Sequence, residues 1–308
     1  MGVQILLIQS HEIEMLMSRN RQEKKTNMYY MSESLNEMVK FAIIRKVITM
    51  FHKSKLPIYT ILYKERKMQD RYTGDVGDFG KLGILRKIAY SGLKIGVNWY
   101  LTYKPEEHLK DDGKHIKYLN DIAFKGCDDG LRETLGMIIG GERNVSSIEK
   151  ADLLINTTYY SDILRPGSDR SFNRLNWHNN SLKILSGSDI IFCDPDNGLI
   201  VKSVSEKSKK SDKYILPKEI TSYFQSGKSV IFYNHRCREK EEIYLKRIHS
   251  LRQRDELSDA AWKGLKFIRG TTRDYFFILQ KEHVDRVNIA IDCVMKTDWK
   301  KHFSVLNI

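Results

Sequence analysis

The chain has 308 residues, of which 41% are hydrophobic, enough for a sizeable core and incompatible with wholesale disorder. Five prolines and no low-complexity tract exclude collagen-like and proline-rich architectures. A formal charge of +13 favours a polyanionic partner, nucleic acid above all, because phosphates attract such a surface whatever their sequence.

Cys127, Cys193, Cys237 and Cys293 are widely spaced, with no C-x-x-C pair and no zinc-like Cys/His spacing. That usage implies no disulfides and fits a reducing, cytoplasmic compartment. No apolar run approaches the ~18 residues of a membrane helix, so stable membrane insertion is not expected. Residues 1–8 are too short and lack the basic start of a signal peptide.

The first 70 residues carry 12 Lys and Arg against 7 Asp and Glu, with one glycine, Gly2, and one proline, Pro57. They read as an N-terminal helical extension over residues 1–67. Its helix spans 32–51, capped by Ser32 or Ser34, with Leu35, Met38, Val39, Ala42, Ile43 and Val47 at helical spacing. Met68 then opens a second domain, 68–308; the extension is an added arm, or Met68 is itself a translation start.

From there the chain alternates. Residues 81–91 predict a helix and 94–102 a buried strand. Residues 105–150 are a polar, mostly helical insertion. Residues 151–156 predict a short strand, 176–185 a helix and 189–193 a strand. Pro217 starts a helix to residue 225. Residues 229–234 form a third buried strand and 239–253 a charged helix. A closing strand pair, 266–269 and 275–279, turns at Gly270, and 284–295 is the last helix. Short apolar strands alternating with helices predict an α/β fold: a Rossmann-like, mostly parallel sheet with helices on both faces. Chemistry in such sheets sits at the carboxyl ends of the strands.

Three segments stand out. In residues 72–83 Gly74, Gly77, Gly80 and Gly83 fall at every third position, beside Asp75, Asp78 and Lys81. This reads as a glycine-rich loop allowing close backbone approach to a ligand. Five residues separate Gly74 from Gly80, and Leu82 replaces the magnesium-binding Ser/Thr, so it is not a Walker A loop. Asp194-Pro195-Asp196-Asn197-Gly198 follows the strand 189–193 and sets two carboxylates at its end, with a turn needing positive φ at Asn-Gly. His235 and Arg236 end the next strand, where His235 is a candidate general base. Lys207, Lys209, Lys210 and Lys213 mark a mobile basic loop. Arg165, Arg170 and Arg174 precede Trp177 and His178, an arginine–aromatic mix that suits single-stranded nucleic acid.

The first two segments, in this order, resemble the class I adenine-N6 methyltransferases of the large-subunit ribosomal RNA methyltransferase J family. That family has A-G-N-x-A-D-x-x-K-H before its first strand and D-P-P-Y after a later one. Here Gly74, Asp78 and Lys81 match the first motif, and Asp194 with Pro195 the second. The resemblance implies a methyltransferase-type fold over about residues 70–295, S-adenosylmethionine as cofactor and nucleic acid as substrate. Asp194 would accept from the target amino group, Lys81 and Asp78 would position substrate and cofactor, and Gly74, Asp75, Gly77 and Asn197 would lie at the cofactor; His235 remains a catalytic candidate from its own place at a strand end. This chain departs from the family where Asn197 replaces the stacking tyrosine and where no glycine follows the first strand. Two other readings stand beside it: a magnesium-dependent nuclease or phosphatase using Asp194 and Asp196, and a non-catalytic nucleic-acid-binding adaptor of the same fold.

Overall fold

The computed structural model describes residues 70, 72–102, 114–165, 169–236, 240–269 and 271–308. The chain divides into two units, 1–64 and 65–308, and every described residue lies in the second. The expected helix at 32–51, Cys237 and Gly270 lie outside the described residues.

The second unit is α/β. Its elements run α1 (Val76–Tyr90), β1 (Ile95–Asn98), α2 (Asp129–Gly140), α3 (Val145–Lys150), β2 (Thr157–Tyr160), α4 (Arg170–Ile184), β3 (Ile190–Cys193), β4 (Gly198–Leu199), β5 (Tyr214–Ile215), α5 (Pro217–Gln225), β6 (Ser229–His235), α6 (Glu241–Arg252), β7 (Ala261–Arg269), β8 (Thr271–Leu279), α7 (Val284–Lys296) and β9 (Phe303–Leu306). Seven strands form one sheet in the order β2-β1-β3-β6-β8-β7-β9. The first four are mutually parallel, while β8, β7 and β9 pair antiparallel to their neighbours. The sheet is therefore mixed rather than mostly parallel. The closing strands return by a tight hairpin, which only antiparallel neighbours allow.

Alternation along the central strands splits the core between the two faces. Ile190, Phe192, Ile231, Tyr275 and Phe277 pack with α1, α2, α3 and α7. Ile191, Cys193, Val230, Phe232, Phe276 and Ile278 pack with α4, α5 and α6. The chain leaves β1 for β2 on one side and returns to β3 on the other. The order thus reverses between β1 and β3, where such sheets open a crevice for ligands.

Several expectations change. The strand expected at 151–156 is a turn: Asp152 and Asn156 have φ of 47° and 51°, and the strand begins only at Thr157. The first strand is shorter than expected because Tyr100, at φ 51°, bends the chain after Asn98. α4 starts six residues earlier than predicted, where Asp169 accepts a hydrogen bond from Phe172 N–H as its cap.

The largest correction concerns the glycine-rich segment. It is the start of a helix, and only Gly74, at φ 76°, lies in a turn. Asp75 caps α1 by accepting from Gly77 N–H (2.7 Å) and Asp78 N–H (3.0 Å), and Asp78 reaches back to Gly74 N–H (2.8 Å), a variant of the capping box. Gly77, Gly80 and Gly83 share one face of α1, against Arg273, the Phe267 ring and the Trp299 ring. The period of three is a packing stripe, not a phosphate cradle.

A Cβ at Gly83 would overlap the Trp299 ring, whereas one at Gly140 meets nothing within 4 Å. Gly83→Ala should therefore destabilise by about 1–3 kcal/mol, although alanine is the better helix former. Gly140→Ala should be neutral or stabilising by up to about 1 kcal/mol. Urea midpoints compare the two, and equal midpoints would refute the packing stripe.

Candidate functional site

The site is built where β1 and β3 end and α1 begins. Asp194 directly follows β3, and its N–H donates to the Asn98 carbonyl of β1 (3.0 Å). Its carboxylate receives the Lys81 ammonium, across 113 positions of sequence. Lys81 also pairs with Asp78 (2.7 Å) and lies 5.4 Å above the Trp99 ring. Asp75 faces the Arg273 guanidinium of β8 at 3.5 Å. Among the described residues, three carboxylates thus surround two cations in a nearly closed cluster, leaving one formal negative charge in excess. Burial raises the Asp194 and Asp75 carboxyl groups above the usual range, with Lys81 and Arg273 respectively pulling them back. Burial works against the charge on Lys81, but Asp194 and Asp78 outweigh it and hold the amine charged.

Asn98, fully buried at the end of β1, fixes the chain's exit from that strand. Its side chain donates to Tyr223 Oη (3.0 Å) and accepts from Tyr100 N–H (3.1 Å), which sustains the left-handed turn. Beside the cluster the Tyr275 hydroxyl is buried and, among the described residues, makes no hydrogen bond. Lys81 and Asp194 both act on it electrostatically.

The other expected residues divide. Gly74, Asp75, Gly77, Asp78 and Lys81 gather at Asp194, though Gly77 serves by admitting the Arg273 side chain. Asp196 faces a different cation, Lys213, at 3.9 Å, so the two acids of the metal reading engage different lysines. Among the described residues no group of three or more His, Cys, Asp or Glu side chains is placed to hold a metal ion. The Asn197 backbone is absorbed in the turn: its N–H donates to Lys213 O (2.9 Å) and its carbonyl accepts from His235 N–H. Gly198, at φ 90°, is required there, since a Cβ would strike Asn234. His235 is exposed and contacts Tyr233 Oη (3.3 Å) rather than the cluster; partial desolvation of its ring beside Tyr233, with the charge of Arg273, lowers its pKa.

Two nucleic-acid candidates are structural instead. Arg174 is buried and pairs with Glu219, also donating to Ser211 O (2.8 Å) and Tyr214 O (2.6 Å). Arg170 pairs with Asp212. Both clamp the base of the basic loop, which contains a short helical turn at Lys209–Lys213. Lys207, Lys209 and Lys210 remain exposed on it. Sequence reasoning missed Asn98, Trp99, Arg273 and Tyr275. Only Trp99, an aromatic just past a buried strand, carried a signal.

No family model matches the sequence, and neither does any curated protein sequence. Among solved structures, protein LPL1258 from Legionella pneumophila str. Philadelphia 1, of family-model DUF519, aligns with a TM-score of 0.37 and 10% identity. The alignment covers 76% of this chain and 96% of that one. A likeness so remote carries no argument. No helix of the described residues is long and apolar enough to cross a membrane.

Replacing Lys81 by Met should cost about 3–5 kcal/mol at pH 7, because it strands two buried carboxylates. Without the ammonium, the folded-state pKa of Asp194 rises further above its unfolded value. A carboxyl raised on folding binds its proton more tightly in the folded state, so the variant regains stability as pH falls through that raised value. Denaturation at pH 7 and pH 5 measures this, and a deficit equal at both would refute the charge balance described here.

Proposed function

We propose that this chain is a nucleic-acid-directed, methyltransferase-like protein with its centre at Asp194. One observation carries the reading: the two segments that bear the family resemblance meet through Lys81 and Asp194 at the topological switch point. Nothing in local sequence requires that meeting. A parallel β2-β1-β3-β6 core closed by the antiparallel β8-β7 pair also supports a class I methyltransferase-type sheet.

The donor set suits S-adenosylmethionine in charge. Among the described residues the cluster holds one carboxylate more than its cations neutralise, and Tyr275 adds a buried hydroxyl that makes no hydrogen bond. A sulfonium would balance that charge. Asp194 and Asp78 would hold it, and the bound cofactor would supply an electrophilic methyl group. Asp194 accepts a hydrogen bond from the acceptor amine and orients its lone pair. Lys81 fixes the carboxylate and limits the rise of its pKa. Such positioning and electrostatic preorganisation are the main sources of acceleration in group transfer. The exposed lysines of the 207–213 loop, which leaves the same strand end, attract the phosphate backbone.

A second reading, the non-catalytic adaptor, draws on the exit of β1. Trp99 and Tyr100 are buried there, where a glycine would let a cofactor approach the backbone.

Calorimetry on the full chain without magnesium should show micromolar S-adenosylmethionine binding, weakened about tenfold (about 1.4 kcal/mol) or more in Asp194→Asn. No binding, with a magnesium signal lost in the Asp194→Ala/Asp196→Ala double variant, would replace this reading with phosphoryl transfer. Silence in both titrations, with nucleic-acid binding retained, would leave the adaptor.

A further inference from the structure

A cavity of about 420 Å³ opens on the far side of the α1 N-terminus, lined among others by Val76, Lys117, Tyr118, Asp121, Phe124 and Arg269. Its size falls in the range of small-ligand sites. Tyr118 and Phe124 are buried and already stacked, Tyr118 on Phe79 at 4.8 Å and Phe124 on His302 at 4.1 Å, so they form a rigid floor. The rim is cationic. Arg269 lies 5.7 Å above the Phe124 ring, and among the described residues its guanidinium donates only to two carbonyls, Ile268 O and Lys301 O, both at 3.1 Å. Further N–H groups of its five therefore remain for a ligand. Lys117 is exposed, and among the described residues neither it nor Arg269 has a carboxylate within ion-pair distance. The acid in the lining, Asp121, caps a short helical turn by accepting from Ala123 N–H (2.9 Å). Lys114 and His115 line the same opening.

The cavity is coupled to the Asp194 cluster. Tyr118 Oη donates to Gly74 O (2.9 Å), and Val76 N–H donates to His115 O (2.9 Å). The cavity wall therefore grips the turn whose next residues, Asp75 and Asp78, hold Arg273 and Lys81.

We infer that this cavity is a nucleotide-phosphate subsite: Lys117 and Arg269 bind the phosphate, and the apolar floor covers the attached sugar and base. The inference rests on the nucleic-acid part of the proposed function, in which the phosphate belongs to a nucleotide flanking the target. A free nucleotide offers the same chemistry.

The test uses the full chain, its Lys117→Ala/Arg269→Ala double variant and Lys117→Glu, an exposed substitution that leaves the fold intact by circular dichroism. The probes are a single-stranded RNA of about 12 nucleotides, adenosine monophosphate and adenosine. Both variants should bind the RNA about tenfold more weakly, and each lost phosphate contact should flatten the log–log salt slope by about 0.7. Unchanged RNA affinity and slope in both variants would overturn the subsite while the nucleic-acid reading stands. If the wild type binds the monophosphate in a manner both variants lose but binds no RNA, the subsite takes a free nucleotide and the nucleic-acid reading falls. Adenosine bound as well as its monophosphate would overturn the phosphate assignment, and no binding of any probe to the wild type would overturn both.

Discussion

The Lys81 ammonium is the element on which the rest of the site depends. Two buried carboxylates converge on it, Asp78 from its own helix and Asp194 from 113 positions away, and neither is tolerable there without it. Its position follows from α1, whose first turn is held by Asp75 and Asp78 acting as caps. Asp78 therefore does two jobs: one oxygen closes the helix start and the other holds Lys81. That economy explains why a pattern that looks like a ligand loop is a helix terminus.

The fold was largely legible in the sequence, and its failures have physical causes. Buried strands at β3 and β6 and the helix opened by Pro217 were readable because apolar runs and a proline at the first turn are local signals. The antiparallel closing strands extended beyond their apolar centres, since Lys263, Lys266 and Arg273 sit within them and blur the pattern. Glycine misled most. Three glycines on one helix face admit Arg273, Phe267 and Trp299, and only tertiary contacts reveal that use. For the site, Lys81, Asp78 and Asp194 were legible as types, but their partners were not. Arg273 lies on a strand with no motif, and Asn98 looked like an ordinary polar residue in an apolar run. Arg174 shows the reverse error: an arginine near aromatics suggested nucleic acid, yet burial beside Glu219 makes it a tie between α4 and α5.

The β1 exit shows how the chain reaches a sharp turn without glycine. Tyr100 adopts the left-handed conformation, a strained choice for a bulky residue that the surrounding contacts must sustain. Asn98 accepts its N–H, and its hydroxyl donates to Glu219 (3.2 Å), which Arg174 in turn holds. The same Arg174 fixes the base of the basic loop through Ser211 and Tyr214. The switch point and the lysine-bearing loop therefore share one buried ion pair, so a change at either is felt at the other.

Charge then orders what the site accepts. Among the described residues, the Asp194 cluster keeps a surplus carboxylate in a nearly closed space, while Lys117 and Arg269 at the cavity have no carboxylate within ion-pair distance. The two lie on opposite sides of the same helix start, joined by the Tyr118–Gly74 hydrogen bond. Burial raises the Tyr118 hydroxyl, and the Asp78 and Asp75 carboxylates raise it further, so it stays a neutral donor to that carbonyl at physiological pH. A ligand carrying a cation or amine at one end and a phosphate at the other would satisfy both ends at once. Under the proposed function, a nucleotide approached by a sulfonium has that polarity. The proposed group transfer therefore draws on the separation of charge across α1 as well as on the two motifs.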